Sequence, residues 1–254
     1  MPRRPVTRIA IYATLFALAL ACGSDGTAPH SKPGQIRVLF IGNSLTYTNS
    51  LPQMVDALAA ASGFDIVSDA QASPDYALID HWDNPQTRQR VQTGHYDVVI
   101  LQQGPSSLSV NRDSLRLWTA MWAPVIRTAG GRPALYAVWP EAERSYAFGD
   151  VSTSYRLAAE DVNGLFFPVG DTWLETWAEY PTAELYGADN FHPAVAGTYA
   201  AAVVIVSILT HSSPTSLATT FQMPPTVSGA LDATVAQAIR GAAAVVIART
   251  QTSY

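Results

Sequence analysis

The chain has 254 residues and a formal net charge of −5. That length allows one large domain or two small ones, with apolar residues enough for a core. The mildly acidic balance and the scattered basic residues exclude a phosphate-gripping patch, so no nucleic-acid partner is expected.

The N-terminus reads as an export signal. "MPRRPVTR" is basic, and "IAIYATLFALALA" is an apolar stretch of thirteen residues. Such a stretch is too short for a comfortable membrane span and suits a signal peptide. The sole cysteine, Cys22, follows at once in "LALAC". This resembles a bacterial lipoprotein lipobox, although Ala19 stands where leucine is preferred, with Leu18 one place further back. The resemblance implies lipidation of Cys22 and a membrane anchor; the alternative is an ordinary secretory peptide and a soluble product. With no further cysteine, no internal disulfide forms. Residues 23–34, "GSDGTAPHSKPG", are a polar Gly/Pro/Ser-rich tether. The expected organisation is therefore a signal peptide over 1–22, a tether over 23–34 and one domain over 35–254.

Five apolar runs predict buried parallel strands: Ile36–Ile41, Phe64–Val67, Asp97–Leu101, Pro133–Val138 and Leu165–Val169. Helical spacing lies between them. Leu51–Ala61 carries apolar residues three and four apart. Ser114–Thr128 aligns Leu115, Trp118, Trp122, Val125 and Ile126, with Pro124 predicting a kink or early stop. "STSYRLAAEDVNG" reads as a helix closed by Gly164. Ala194–Leu209 reads as a buried Ala/Val-rich helix. A strapping segment after Leu209 and a last helix complete the chain. Alternating strands and helices predict a parallel sheet with helices on both faces. In such sheets ligands bind beyond the carboxyl ends of the strands.

That edge is where the chemistry-bearing residues fall. The first strand ends at Gly42-Asn43-Ser44, so Ser44 is either a turn residue or a nucleophile. A serine nucleophile needs a base, a group to orient the base, and oxyanion donors. "GADNFHPAVAG" places Asp189 and His192 three residues apart, before a Pro193 suited to a helix start. A carboxylate this close can fix the imidazole tautomer and leave the other ring nitrogen to take the serine proton.

"FIGNSLT" and "DNFHPAVAG" resemble the first and last motif blocks of the SGNH (GDSL-type) hydrolases. "YDVVILQQGPSS", "FFPVGDTW" and "HPAVAGTYAAAVVIVSILTHSSP" are similar to a bacterial subgroup with a GNSxT nucleophile block. The resemblance implies a flavodoxin-like three-layer α/β/α sandwich with a mainly parallel five-stranded sheet. It implies Ser44 as nucleophile, His192 as general base then acid, and Asp189 as its orienter. The central blocks depart from the pattern. Where the family offers a glycine N–H to the oxyanion, this chain has "DAQASPDYALIDHW". Asp75 or Tyr76 is left to supply that N–H. Where the family has asparagine, the third strand ends in Gln102-Gln103-Gly104. Either glutamine can donate, and the sequence does not say which faces the site.

Other clusters are weighed against plainer roles. "DHWD", Asp80 to Asp83, has no second His or Cys cluster beside it and reads as a capped helix rather than a metal site. "WPEAER", Trp139 to Arg144, is either a groove lining with an aromatic floor or a solvated loop. Trp118, Trp122, Trp173 and Trp177 read as core, and Asp171 as a helix cap. No phosphate loop or dinucleotide fingerprint occurs, and no cofactor or metal is expected. The expected activity is ester hydrolysis by an exported serine enzyme. Carbohydrate O-acetyl groups are the first candidate substrate; small-acyl or lipid esters, or glycan binding without turnover, are the alternatives.

Overall fold

The computed structural model describes residues 1–2 and 34–251. The signal segment from residue 3, Cys22 and the tether up to residue 33 lie outside the described residues.

Five strands form one all-parallel sheet. They are β1 (Gln35–Gly42), β2 (Asp65–Ala72), β3 (Val98–Leu101), β4 (Arg132–Ala137) and β5 (Leu165–Pro168), in the order β2-β1-β3-β4-β5. Val38–Ile41 of β1 and Ile100–Leu101 of β3 are fully buried, because helices cover both faces and leave no side for water. β2 runs longer than its apolar run. Its second half, Ser68–Ala72, is polar and partly exposed, as an edge strand paired only to β1 permits.

Nine α-helices are described: α1 (Ser44–Tyr47), α2 (Leu51–Ala61), α3 (Leu78–Asp83), α4 (Pro85–Thr93), α5 (Ser109–Thr128), α6 (Phe148–Asp161), α7 (Val169–Glu179), α8 (Val195–Thr210) and α9 (Ala233–Gln251). α2 packs on α8 and α8 on α9; α5 packs on α4 and α6. α8 is buried on nearly every side, consistent with a run of Ala, Val and Ile that holds no charge.

Two local expectations are corrected. Pro124 neither stops nor splits α5. Pro124 and Ala120 are both exposed, so the Ala120 carbonyl that loses its helical partner faces water. α6 is not closed by Gly164 in a left-handed conformation. Asn163 takes that role at φ 43°, and the Gly164 N–H reaches back to the Ala159 carbonyl at 2.8 Å. Gly164 is required for a different reason: a Cβ there would sit 2.9 Å from the Pro133 carbonyl.

The strand order reverses direction between β1 and β3. A crevice opens at such a switch point beyond the strand ends. Ser44 follows β1 and Gln103 follows β3, so they flank that crevice.

Candidate active site

A cleft of about 480 Å³ lies at this switch point, lined among others by Asn43, Ser44, Asp75, Tyr76, Gln103 and Phe191. Ser44 is the first residue of α1, so its N–H has no partner one turn back. Asn43 caps the helix, its side-chain oxygen accepting the Leu45 N–H at 3.1 Å. Gly42 is held tightly beneath. Its carbonyl accepts His81 Nε2 at 2.8 Å and the Ser73 N–H at 3.2 Å. A Cβ on Gly42 would come within 2.3 Å of both Gln102 Oε1 and Thr46 Oγ1. Only glycine fits.

The structure separates the two glutamines. Gln102 is fully buried and committed to the turn that carries Ser44. Its Oε1 accepts the Asn43 N–H at 2.9 Å and the Thr46 hydroxyl at 2.7 Å, and its Nε2 donates to Asn43 Oδ1 at 3.0 Å. Gln103 lines the cleft. Its Oε1 accepts the Leu78 N–H at 3.3 Å and its Nε2 donates to Ser106 Oγ at 3.0 Å, leaving one amide proton uncommitted. The Tyr155 hydroxyl holds its backbone, accepting the Gln103 N–H at 3.1 Å and donating to the Gln103 carbonyl at 2.5 Å.

Asp75, one of the two candidates for the missing glycine's role, has a glycine-like backbone conformation. Ser73-Pro74-Asp75-Tyr76 is a tight turn closed by Tyr76 N–H to Ser73 O at 3.3 Å, with Asp75 at φ 60°. Proline second and a positive φ third are the features of a type II turn, where aspartate is one of the few side chains tolerated in place of glycine. The Tyr76 N–H is thus engaged, whereas the Asp75 N–H makes no hydrogen bond among the described residues.

Asp189 and His192 meet. His192 Nδ1 lies 2.5 Å from Asp189 Oδ2, while Asp189 Oδ1 accepts the Phe191 and His192 N–H groups at 3.1 and 2.9 Å. The His192 bond first, and then those backbone donors, lower the Asp189 pKa to about 2. The loop that carries the pair rests on a cluster the sequence did not reveal. Trp139 Nε1 donates to the Phe191 carbonyl at 2.9 Å, and Trp139 stacks on Trp173 with ring centroids 3.7 Å apart. Tyr186 packs on Trp173 and Trp177 and donates to the Pro140 carbonyl at 2.6 Å. Asn49, just beyond Ser44, ties the two halves together by donating to the Pro193 carbonyl at 2.9 Å. Among the described residues Ser44 Oγ makes no hydrogen bond, to His192 or to any other group.

Several expectations shift. Trp139 is buried beneath the His192 loop rather than forming a groove floor; Glu141 and Arg144 from the same motif line the cleft. Asp171 lies in the first turn of α7 but accepts the Ser152 hydroxyl at 2.7 Å instead of capping the helix. Trp122 and Trp173 are core, while Trp118 and Trp177 are only partly buried. His81 of "DHWD" is a buried clamp on Gly42, and burial depresses its pKa and favours the neutral form. Among the described residues no group of three metal-ligating side chains occurs, and no helix is long and apolar enough to cross a membrane.

Solved structures share this architecture. A candidate SGNH hydrolase from Slackia heliotrinireducens is 23% identical, with a TM-score of 0.56 over 69% of this chain and 99% of that one. The chain has the SGNH-hydrolase fold. A DUF4886 family protein from Bacteroides uniformis aligns with a TM-score of 0.69 at 19% identity, over 84% of this chain and 95% of that one. An acetylxylan esterase from Geobacillus stearothermophilus, solved as a catalytic mutant, aligns with a TM-score of 0.52 at 16% identity, over 70% of this chain and 94% of that one. No protein-family model matches the sequence, and no curated protein matches it.

Proposed function

We propose that the chain is a serine esterase that cleaves carboxylic esters through an acyl-enzyme. The observation that carries this is the 2.5 Å Asp189–His192 pair, in the loop whose Phe191 lines the same cleft as Ser44. Asp189 stays ionised and accepts the Nδ1 proton, so His192 presents Nε2 as acceptor. Ser44 Oγ attacks the ester carbonyl carbon and passes its proton to Nε2. The tetrahedral oxyanion is held by the Ser44 and Asp75 N–H groups and the free Gln103 amide proton. The alcohol departs with the proton from His192. Water then enters, gives its proton to His192 and releases the acid, restoring Ser44.

Acetyl groups on carbohydrate are the proposed substrate. The cleft wall is rich in hydroxyl and amide groups, and one protein of the same fold is an acetylxylan esterase. A small-acyl or lipid ester is the alternative. The signal-like 1–22 segment supports export, with Cys22 as the proposed lipid anchor in the cell envelope.

A second proposal, glycan binding without turnover, draws on the unbonded Ser44 hydroxyl and the altered oxyanion blocks. A fluorophosphonate probe decides between them. An activated serine labels, and Ser44→Ala removes the label; native protein that resists the probe has no working nucleophile. Catalytic hydrogen bonds are often loose without substrate, so the open Ser44–His192 geometry is compatible with labelling.

A further inference from the structure

Resting on the esterase proposal, we propose that Arg144 recognises a carboxylate carried by the substrate, so that the enzyme prefers acidic esters. Arg144 stands on the short 3-10 segment Ala142–Ala147 after β4 and, among the described residues, is the one cation that lines the cleft. Its Nη2 reaches the loop after β3 and donates to Ser107 Oγ at 3.2 Å. That is its one side-chain hydrogen bond among the described residues. Neither cleft carboxylate, Asp75 or Glu141, forms an ion pair with it.

A guanidinium carries five N–H donors in a planar fork. One hydroxyl occupies one of them. A carboxylate, with two oxygens at matching spacing, satisfies the fork bidentately, whereas a neutral hydroxyl leaves it under-used. The neighbouring wall adds donors of the same kind. Asn111 and Ser114 line the cleft with side chains that make no hydrogen bond among the described residues, and Ser107, accepting from Arg144, keeps its own proton to give. The cleft also holds the carboxylates of Asp75 and Glu141, so an acidic substrate group is placed by direct pairing with the Arg144 fork.

The carboxylate can belong to either half of the ester. A dicarboxylic half-ester carries it on the acyl part, and an acetylated uronic acid carries it on the alcohol part. The test measures kcat/KM for 4-nitrophenyl hydrogen succinate against 4-nitrophenyl acetate, and for acetylated methyl glucuronate against acetylated methyl glucoside. One of the two acidic-to-neutral ratios is expected to exceed unity and to fall on the order of 10-fold in Arg144→Gln, the size of a lost charge-assisted hydrogen bond. Arg144→Glu should reverse the preference. Ratios that Arg144→Gln leaves unchanged, in a protein that labels with fluorophosphonate, overturn the assignment and leave the esterase proposal standing. If Ser44 proves unreactive, chemical-shift titration with free methyl glucuronate and methyl glucoside, and with free succinate and neutral succinamide, reads the same site without turnover. Equal binding of acidic and neutral ligand in both pairs then overturns the assignment.

Discussion

Gln102 and Gln103 are chain neighbours at the end of β3, yet one amide is locked under the Ser44 turn and the other lines the cleft. Replacing them should therefore have unlike effects. Gln102→Ala strips a buried acceptor from the Asn43 N–H and the Thr46 hydroxyl, and should cost about 1–3 kcal/mol of stability. Gln103→Ala should lower kcat on the order of 10²-fold while raising KM little, because an oxyanion donor acts in the transition state. Thermal melting and steady-state kinetics on a small activated ester check both. A loss of kcat in the folded Gln102 variant and none in the Gln103 variant would reverse the assignment.

Ser44→Ala and His192→Ala should each abolish turnover of that ester, and the double variant should be little worse than either. Groups that act as a unit lose their effect together. Losses that multiply would show that the two residues do not share a step.

Asp171 gives a pH signature in stability. Burial raises its pKa above the usual 3.8, against a smaller opposing effect from the Ser152 hydroxyl. The folded state therefore holds the proton more tightly than the unfolded state. Stability is fully present below the unfolded value and is lost as pH rises through the raised folded value. Asp171→Asn keeps an acceptor for Ser152 and removes the ionisation. Its melting temperature should exceed wild type at neutral pH, with the gain shrinking toward pH 3.8. A constant difference across that range would mean that Asp171 does not titrate this way.

Cys22→Ser should release the protein from membranes if Cys22 carries the anchor. One acyl chain alone holds weakly, so wild-type retention calls for more than one. Fractionation in the absence of detergent is the measurement. A wild-type protein already soluble there would remove the anchor from the proposal.

The strands were legible because those in the sheet interior are buried on both faces and read as unbroken apolar runs. α4 was not. Only Thr87 and Val91 of "PQTRQRVQT" are buried, so no periodic stripe marks it. The glutamines were unreadable for another reason. Alternation along a strand cannot say which of two residues faces a cleft once the strand has ended, and both lie beyond β3. The pairing of Asp189 with His192 lies within one short loop and so could be read from spacing. The support for that loop could not, because Trp139, Trp173 and Tyr186 come from three separate segments that only the folded sheet brings together.

Asn49 and Pro193 join segments from opposite ends of the domain. On the esterase proposal, a growing chain that has emerged only as far as α7 holds Ser44 but lacks His192, the proposed base. On that proposal its serine would stay unactivated until α8 folds against α2 and brings the His192 loop with it. Esterase activity would thus appear late and all at once during synthesis, and a truncated product would be inert toward esters in the cell that makes it.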